Sequence, residues 1–155
     1  MTSAERNALR AWLDLLTASS SIKKAIDANL RSEFGVTISR FDLLSALDRA
    51  GAEGLRASDL SRKLLVTEGA TTQVVAPLIR EGLVSRTACP NDGRAVNLKL
   101  TRKGRSLFTK MARVHKQWID ETFAALTPGQ VSSLRQLIGK LDLPHLAENK
   151  EEDAA

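Results

Sequence analysis

Residues Leu55 to Thr101 read LRASDLSRKLLVTEGATTQVVAPLIREGLVSRTACPNDGRAVNLKLT. The apolar spacing predicts a helix over Ser58–Leu64 with Leu60 and Leu64 facing inward, then a turn at Leu65-Val66. A second helix follows over Glu68–Glu81, opened by Thr67 as a side-chain cap. Two strands come next. They are Leu83–Thr87 and Ala95–Leu100, the latter alternating Val96, Leu98 and Leu100 inward with Asn97 and Lys99 outward. Pro90-Asn91-Asp92-Gly93 between them is turn chemistry, which leaves Arg94 at the edge of the loop. Leu55-Arg56-Ala57 is a short extended piece, too short to stand alone, that can add a third strand to the hairpin. A helix pair feeding a basic β-ribbon is a winged helix-turn-helix, an arrangement that puts its second helix in the major groove of DNA.

In such a unit the first residues of the second helix reach base edges. Here they are Glu68, Gly69, Ala70, Thr71, Thr72 and Gln73, after the cap Thr67. Gln73 can bond adenine through two groups, Thr71 and Thr72 can bond bases or phosphates, and the Ala70 methyl can touch thymine. Arg94 at a hairpin tip suits the minor groove, and Asp92 two residues earlier can orient its guanidinium. Arg56, Ser58, Arg86 and Arg102 complete the candidate DNA-binding set. Pro77 is the misfit, because it removes the bond to the carbonyl of Gln73 and predicts a kink or two diverging half-helices.

Charge follows the same segment. Between Leu55 and His115 there are 12 Lys/Arg against 4 Asp/Glu, whereas the rest of the chain holds 11 against 14. The basic excess therefore sits on the winged unit and the segment after it, as a phosphate-binding face requires.

The flanks read as long helices with more apolar stripe than this unit can cover. Glu5 to about Arg31 places Leu9, Trp12, Leu13, Leu16, Ile22, Ile26 and Leu30 near a 3.6-residue period, and Gly35 suits a left-handed cap after Phe34. Ser39 followed by Asp42 reads as the cap of the next helix, with Phe41, Leu44 and Leu47 on one face. Gly51-Ala52-Glu53-Gly54 breaks the chain. Thr101 caps a helix from Arg102 to about Leu126 with Leu107, Met111, Val114 and Trp118 as its stripe. Arg102, Lys103 and Arg105 in its first turn oppose the helix dipole, which points to use on backbone phosphates. Thr127-Pro128-Gly129-Gln130 is a capping box opening a last helix with Val131, Leu134, Ile138 and Leu141, which Pro144 ends. Such stripes need the terminal helices or a second subunit as partner. The expected organisation is a dimerisation and supporting segment over 5–50, the winged unit over 51–101, dimerisation helices over 102–146 and an acidic flexible tail over 147–155. The fold class is mainly α with a small β-wing.

These features resemble the MarR (multiple antibiotic resistance regulator) family of bacterial transcription regulators. The resemblance covers about Leu9 to Leu143. It rests on Leu60-Ser61-Arg62-Lys63-Leu64, on Glu81-Gly82-Leu83-Val84-Ser85-Arg86, and on Asn91-Asp92-Gly93-Arg94 followed by Val96, Leu98, Leu100-Thr101 and Gly104. The resemblance implies a homodimer with interlocked terminal helices on a pseudo-palindromic operator, Arg94 in the minor groove and Asp92 supporting it. Two positions depart from the family pattern: Pro77 replaces a usual polar or basic residue, and Gln73 a usual arginine. Base preference is therefore not carried over from relatives.

Arg10-Ala11-Trp12-Leu13-Asp14-Leu15-Leu16 and Phe34-Gly35 with Ser39-Arg40-Phe41-Asp42-Leu43-Leu44 are similar to members that regulate hydroxycinnamate breakdown. That likeness implies a repressor responding to a small aromatic acid or its coenzyme A thioester. The implied effector pocket is lined by Trp12, Leu16, Arg40, Phe41, His115 and Trp118, with Arg40 suited to a carboxylate or phosphate. Trp12, Phe41 and Trp118 read equally as core.

Other classes fit less well. One cysteine and two separated histidines give no zinc site or internal disulfide, and no nucleophile–base pair or phosphate loop appears, so neither an enzyme nor a bound cofactor is expected. Glu5 and Arg6 precede any apolar run, and no segment approaches the roughly 18 apolar residues of a membrane span, so a cytoplasmic protein is expected. A constitutive or architectural DNA-binding protein without an effector, and a winged helix used for protein contacts, remain as alternatives.

Overall fold

A computed structural model describes residues 1–89 and 91–143. The chain forms two compact units, Met1–Trp118 and Ile119–Ala155.

In the first unit, α1 (Ser3–Phe34) opens with a capping box between Thr2 and Glu5. It ends at Gly35, whose φ of 64° is the left-handed cap expected there. Every residue from Met1 to Ser21 is exposed, and only Ile26 and Leu30 of this helix are buried. α2 (Ile38–Ala50) starts earlier than the sequence suggests. Its cap is Thr37, whose hydroxyl accepts the Arg40 N–H, so Ser39 and Asp42 lie inside the helix. The acidic partner at this terminus comes from α1, where Asp27 accepts the Ile38 N–H at 2.9 Å. A local i, i+3 pattern cannot reveal a cap supplied from eleven residues away.

α2 is the central helix, burying Phe41, Leu43, Leu44, Ala46 and Leu47. A single 3-10 turn, Gly51–Glu53, leads to Gly54 at φ 70°. A Cβ on Gly54 would lie 2.3 Å from the Leu98 carbonyl oxygen, so only glycine lets the chain pass so close to the sheet. β1 (Leu55–Arg56) then pairs antiparallel with β3 (Asp92–Leu100), as the third strand the sequence allowed. The sheet order is β1-β3-β2, with β2 spanning Val84–Cys89. Both hairpin strands run closer to the tip than predicted, since Cys89 pairs with Asp92. Pro90, assigned to that turn, lies outside the described residues.

α3 (Ala57–Leu64) and α4 (Glu68–Arg80) pack on α2 and on each other through Leu60, Val75 and Leu78. α4 ends as expected at Gly82, φ 73°, with the Leu83 N–H reaching back to the Leu78 carbonyl at 2.9 Å. α5 (Arg102–Thr122) begins under Thr101, whose hydroxyl accepts the Gly104 N–H at 3.0 Å. Phe108 and Met111 carry α5 into the core, where Phe41 packs against Phe108 with ring centroids 5.5 Å apart.

The second unit contains the end of α5, a turn around Phe123–Leu126 and α6 (Pro128–Gly139). Thr127 and Gln130 form the predicted capping box with Pro128 at the first helical position. Leu134, Leu137 and Ile138 are exposed. The helix end assigned to Pro144 and the tail over 147–155 lie outside the described residues. No described helix is long and apolar enough to cross a membrane.

Candidate nucleic-acid interface

The turn between α3 and α4 is made by Leu65, the single non-glycine residue at positive φ (55°) among the described residues. Its N–H bonds the Arg62 carbonyl, and the Val66 N–H bonds that of Ser61. The left-handed step costs a leucine about 1–2 kcal/mol and redirects the chain so that Thr67 can open α4. The Thr67 hydroxyl accepts the Ala70 N–H at 3.1 Å, which satisfies one orphan donor of the helix start.

On α4 the expected readers separate into two groups. Thr67, Glu68, Ala70, Thr72 and Gln73 are exposed. Thr71 is not. It is 3% exposed, accepts the Ser61 hydroxyl at 2.8 Å and lies 3.2 Å from the Thr67 carbonyl. A hydroxyl locked between α3 and α4 is not available to a base, so Thr71 is a packing residue of the helix pair and is withdrawn from the reading set. Arg80, which the sequence did not single out, is exposed and seven residues beyond Gln73, hence two turns along the same face. The helical period applied to Gln73 would have found it. The helix runs unbroken through Pro77 to Arg80.

The wing also differs in detail. A register shift between Ala88 and Cys89 leaves Gly93, Arg94 and Ala95 as extra residues on β3. Arg94 therefore projects from an irregular strand segment and not from the loop edge. Asp92 supports it through the backbone: the carboxylate accepts the Arg94 N–H at 3.1 Å, in place of the guanidinium contact expected. Arg56 from β1, Arg86 from β2 and Arg94 from β3 all line one cleft of about 360 Å³ between the sheet and α3/α4. Ser58, Glu68, Thr71, Thr72 and Ala76 line it too, so three arginines and one acidic residue border the same cleft. Arg102 is exposed at the start of α5, but its neighbour Lys103 is turned to another use, donating to the Glu81 carbonyl at 2.9 Å. The basic first turn of α5 is thus only partly a phosphate-facing cluster.

The six residues assigned to an effector pocket are not all brought together. Phe41 and His115 are in contact, their rings tilted by 36° with centroids 4.6 Å apart, and Arg40 precedes Phe41 on α2. Phe41 is buried core, 5% exposed, and the Arg40 guanidinium is already paired with Glu81 at 3.0 and 3.2 Å. Neither side chain is therefore open to a ligand as the sequence suggests: Phe41 packs on Phe108 and His115, and Arg40 has a carboxylate of its own chain. Trp118 follows His115 by one turn of α5 and is half-buried. Trp12 and Leu16 lie on the exposed half of α1, 54% and 43% accessible. Burial pushes the His115 imidazole below its ordinary value, opposed by Asp42, while burial raises the Asp42 carboxyl against Lys23, His115 and Arg49. Among the described residues no three His, Cys, Asp or Glu side chains cluster as a metal site would need.

A helix pair with an exposed polar leading edge, flanked by an arginine-bearing three-stranded wing, defines a winged helix-turn-helix DNA-binding protein. Residues 34–95 match the MarR family model. The transcriptional regulator PecS of Dickeya dadantii is 26% identical over 83% of this chain and 77% of its own. Sco3205 of Streptomyces coelicolor, a MarR family regulator solved in complex with DNA, superposes with a TM-score of 0.77 at 26% identity, covering 89% of this chain and 85% of that one. Apo MarR of Escherichia coli gives 0.70 at 26% identity, over 81% and 91%. Through its winged unit and its fold the chain is similar to DNA-binding transcriptional regulators of the MarR family.

Proposed function

We propose that this protein is a homodimeric repressor that leaves a pseudo-palindromic operator when it binds a small aromatic acid or its coenzyme A thioester. The observation that carries the DNA-binding part is the convergence of Arg56, Arg86 and Arg94 on the cleft beside α4. Guanidinium groups on that flank engage phosphates and the minor groove while Thr72, Gln73 and Arg80 address base edges. Dimerisation is supported by the uncovered Leu9, Trp12, Leu13 and Leu16 on α1 and by Leu137 and Ile138 on α6. Apolar surface arranged in helical stripes favours burial against a second copy.

The effector reading rests on the hydroxycinnamate-regulator likeness, on the contact between the Phe41 and His115 rings and on Arg40 next to Phe41 on α2. An acid bound there must take the place of Glu81 on Arg40. Its differential affinity for the non-binding conformation then shifts the population away from the operator. Gel shifts with the DNA upstream of the protein's own coding sequence, with and without aromatic-acyl coenzyme A thioesters and free aromatic acids, test both parts. Release by one of these compounds supports the proposal. Tight binding that none of them weakens replaces it with a constitutive DNA-binding protein, and salt-insensitive or absent binding removes the DNA reading altogether.

A further inference from the structure

Four interactions meet just past the C-terminal end of α4, and the reading of base edges uses none of them. The Glu81 carboxylate accepts two contacts from the Arg40 guanidinium of α2, at 3.0 and 3.2 Å. The Glu81 carbonyl accepts the Lys103 ammonium of α5 at 2.9 Å. One residue later the Gly82 carbonyl accepts the Thr101 hydroxyl at 2.6 Å, and the Leu83 carbonyl accepts the Thr101 N–H at 3.1 Å. These four contacts tie the C-cap of the reading helix, Glu81, and the two residues after it to α2 and to the start of α5. Both cations also sit where the negative end of the helix dipole favours them.

This end of α4 needs external ties more than most. Pro77 has no N–H, so the Gln73 carbonyl loses its partner one turn above Glu81 and the last turn is less firmly coupled to the reading half. The 13-residue helix is a lever. A tilt of about 5° at its C-terminal end moves the first turn by about 1.7 Å over a length of about 20 Å. That displacement is enough to break a bidentate base contact, which holds only within a few tenths of an ångström of 3 Å.

We infer that Arg40, Glu81 and Lys103 are positioning residues for DNA reading: they clasp the C-terminal end of α4 and set the angle at which its first turn enters the groove. The inference rests on α4 being the reading helix and is independent of any effector. The pair is half-exposed, with 27% of the Arg40 side chain and 47% of Glu81 accessible, so it contributes little to global stability and much to pose.

The test uses the full chain, no effector, and a duplex enriched by the wild-type protein from a random DNA pool. Arg40→Glu and Glu81→Arg should each weaken binding by about tenfold or more, as expected for loss of one bidentate base contact. The charge-swapped double variant should recover to within about threefold of wild type, because it restores the pair with opposite polarity. Melting temperatures of all three should stay close to wild type. Lys103→Met should weaken binding without changing the slope of log affinity against log salt, whereas a lysine contacting phosphate would reduce that slope by about 0.9. Single variants that bind like wild type overturn the clasp alone. A double variant no better than the singles also overturns it, as does a changed slope in Lys103→Met. Failure to enrich any duplex overturns the DNA reading and the clasp with it.

Discussion

Replacing Thr71 by valine separates a structural role from a reading role at the position where sequence and structure disagree. Thr71 is 3% exposed and its hydroxyl is bonded to Ser61 of α3 at 2.8 Å, with the Thr67 carbonyl 3.2 Å away. Valine keeps the volume and the two branches on Cβ, so no cavity opens. Ser61 keeps a partner, since its hydroxyl also lies 3.0 Å from the Ala57 carbonyl. What is lost is the buried hydrogen bond from Ser61 and the longer local one to the Thr67 carbonyl, which keeps the Thr71 N–H; with no charge involved the two together are worth about 1 kcal/mol net. For a chain of 155 residues that lowers the melting temperature by about 2–4 °C. Affinity for a selected duplex should change by less than about twofold, because a side chain locked between two helices does not meet a base. Calorimetry and fluorescence anisotropy on the same preparation read both quantities. A variant with an unmoved melting temperature and affinity reduced tenfold would show that Thr71 does face the groove.

Two further outcomes follow from other parts of the structure. A Cβ at Gly104 would lie 2.0 Å from the Leu83 carbonyl oxygen, itself bonded to Thr101; Gly104→Ala should therefore cost about 1–3 kcal/mol in chemical denaturation. His115 is held below its ordinary value of 6.5 by burial, so the unfolded chain takes up its proton more readily. Its stabilising contribution is present above about pH 6.5 and fades as pH falls, so wild-type melting should drop between about pH 7 and pH 5.5 and His115→Gln should flatten that fall. Asp42 acts oppositely, its carboxyl raised by burial favouring the folded state below 3.8 and losing that effect as pH rises.

Much of the fold is legible because its signals are local. The caps Thr67, Thr127 and Gly35 act within one turn of their own helix, and Leu60, Leu98 and Leu100 follow the period of the element that buries them. Thr2, the cap of α1, lies ahead of the apolar period, which begins the helix only at Glu5. What escaped the sequence is what distant residues decide. Asp27 closes the start of α2 from α1, so the i, i+3 rule pointed to Ser39 instead of Thr37. Thr71 and Thr72 are adjacent and chemically identical, yet the position of α3 buries one and leaves the other exposed. Arg40 and Lys103 looked like free cations for ligand and phosphate, but Glu81 and its carbonyl, 41 and 22 residues away, engage both. Arg94 kept its place beside Asp92, while the register shift that moves it into β3 depends on how β2 pairs. Periodicity identifies faces; only packing tells which polar groups on a face remain available.

The central claim is that the wing arginines and the exposed edge of α4 form one DNA-binding surface. The most direct measurement is the affinity of wild type and Arg94→Ala for a selected duplex across a range of salt concentrations. Wild-type affinity should fall steeply as salt rises, and Arg94→Ala should bind more weakly with a slope reduced by about 0.9 while sedimenting as wild type does. Affinity indifferent to salt and unchanged by Arg94→Ala would contradict the claim.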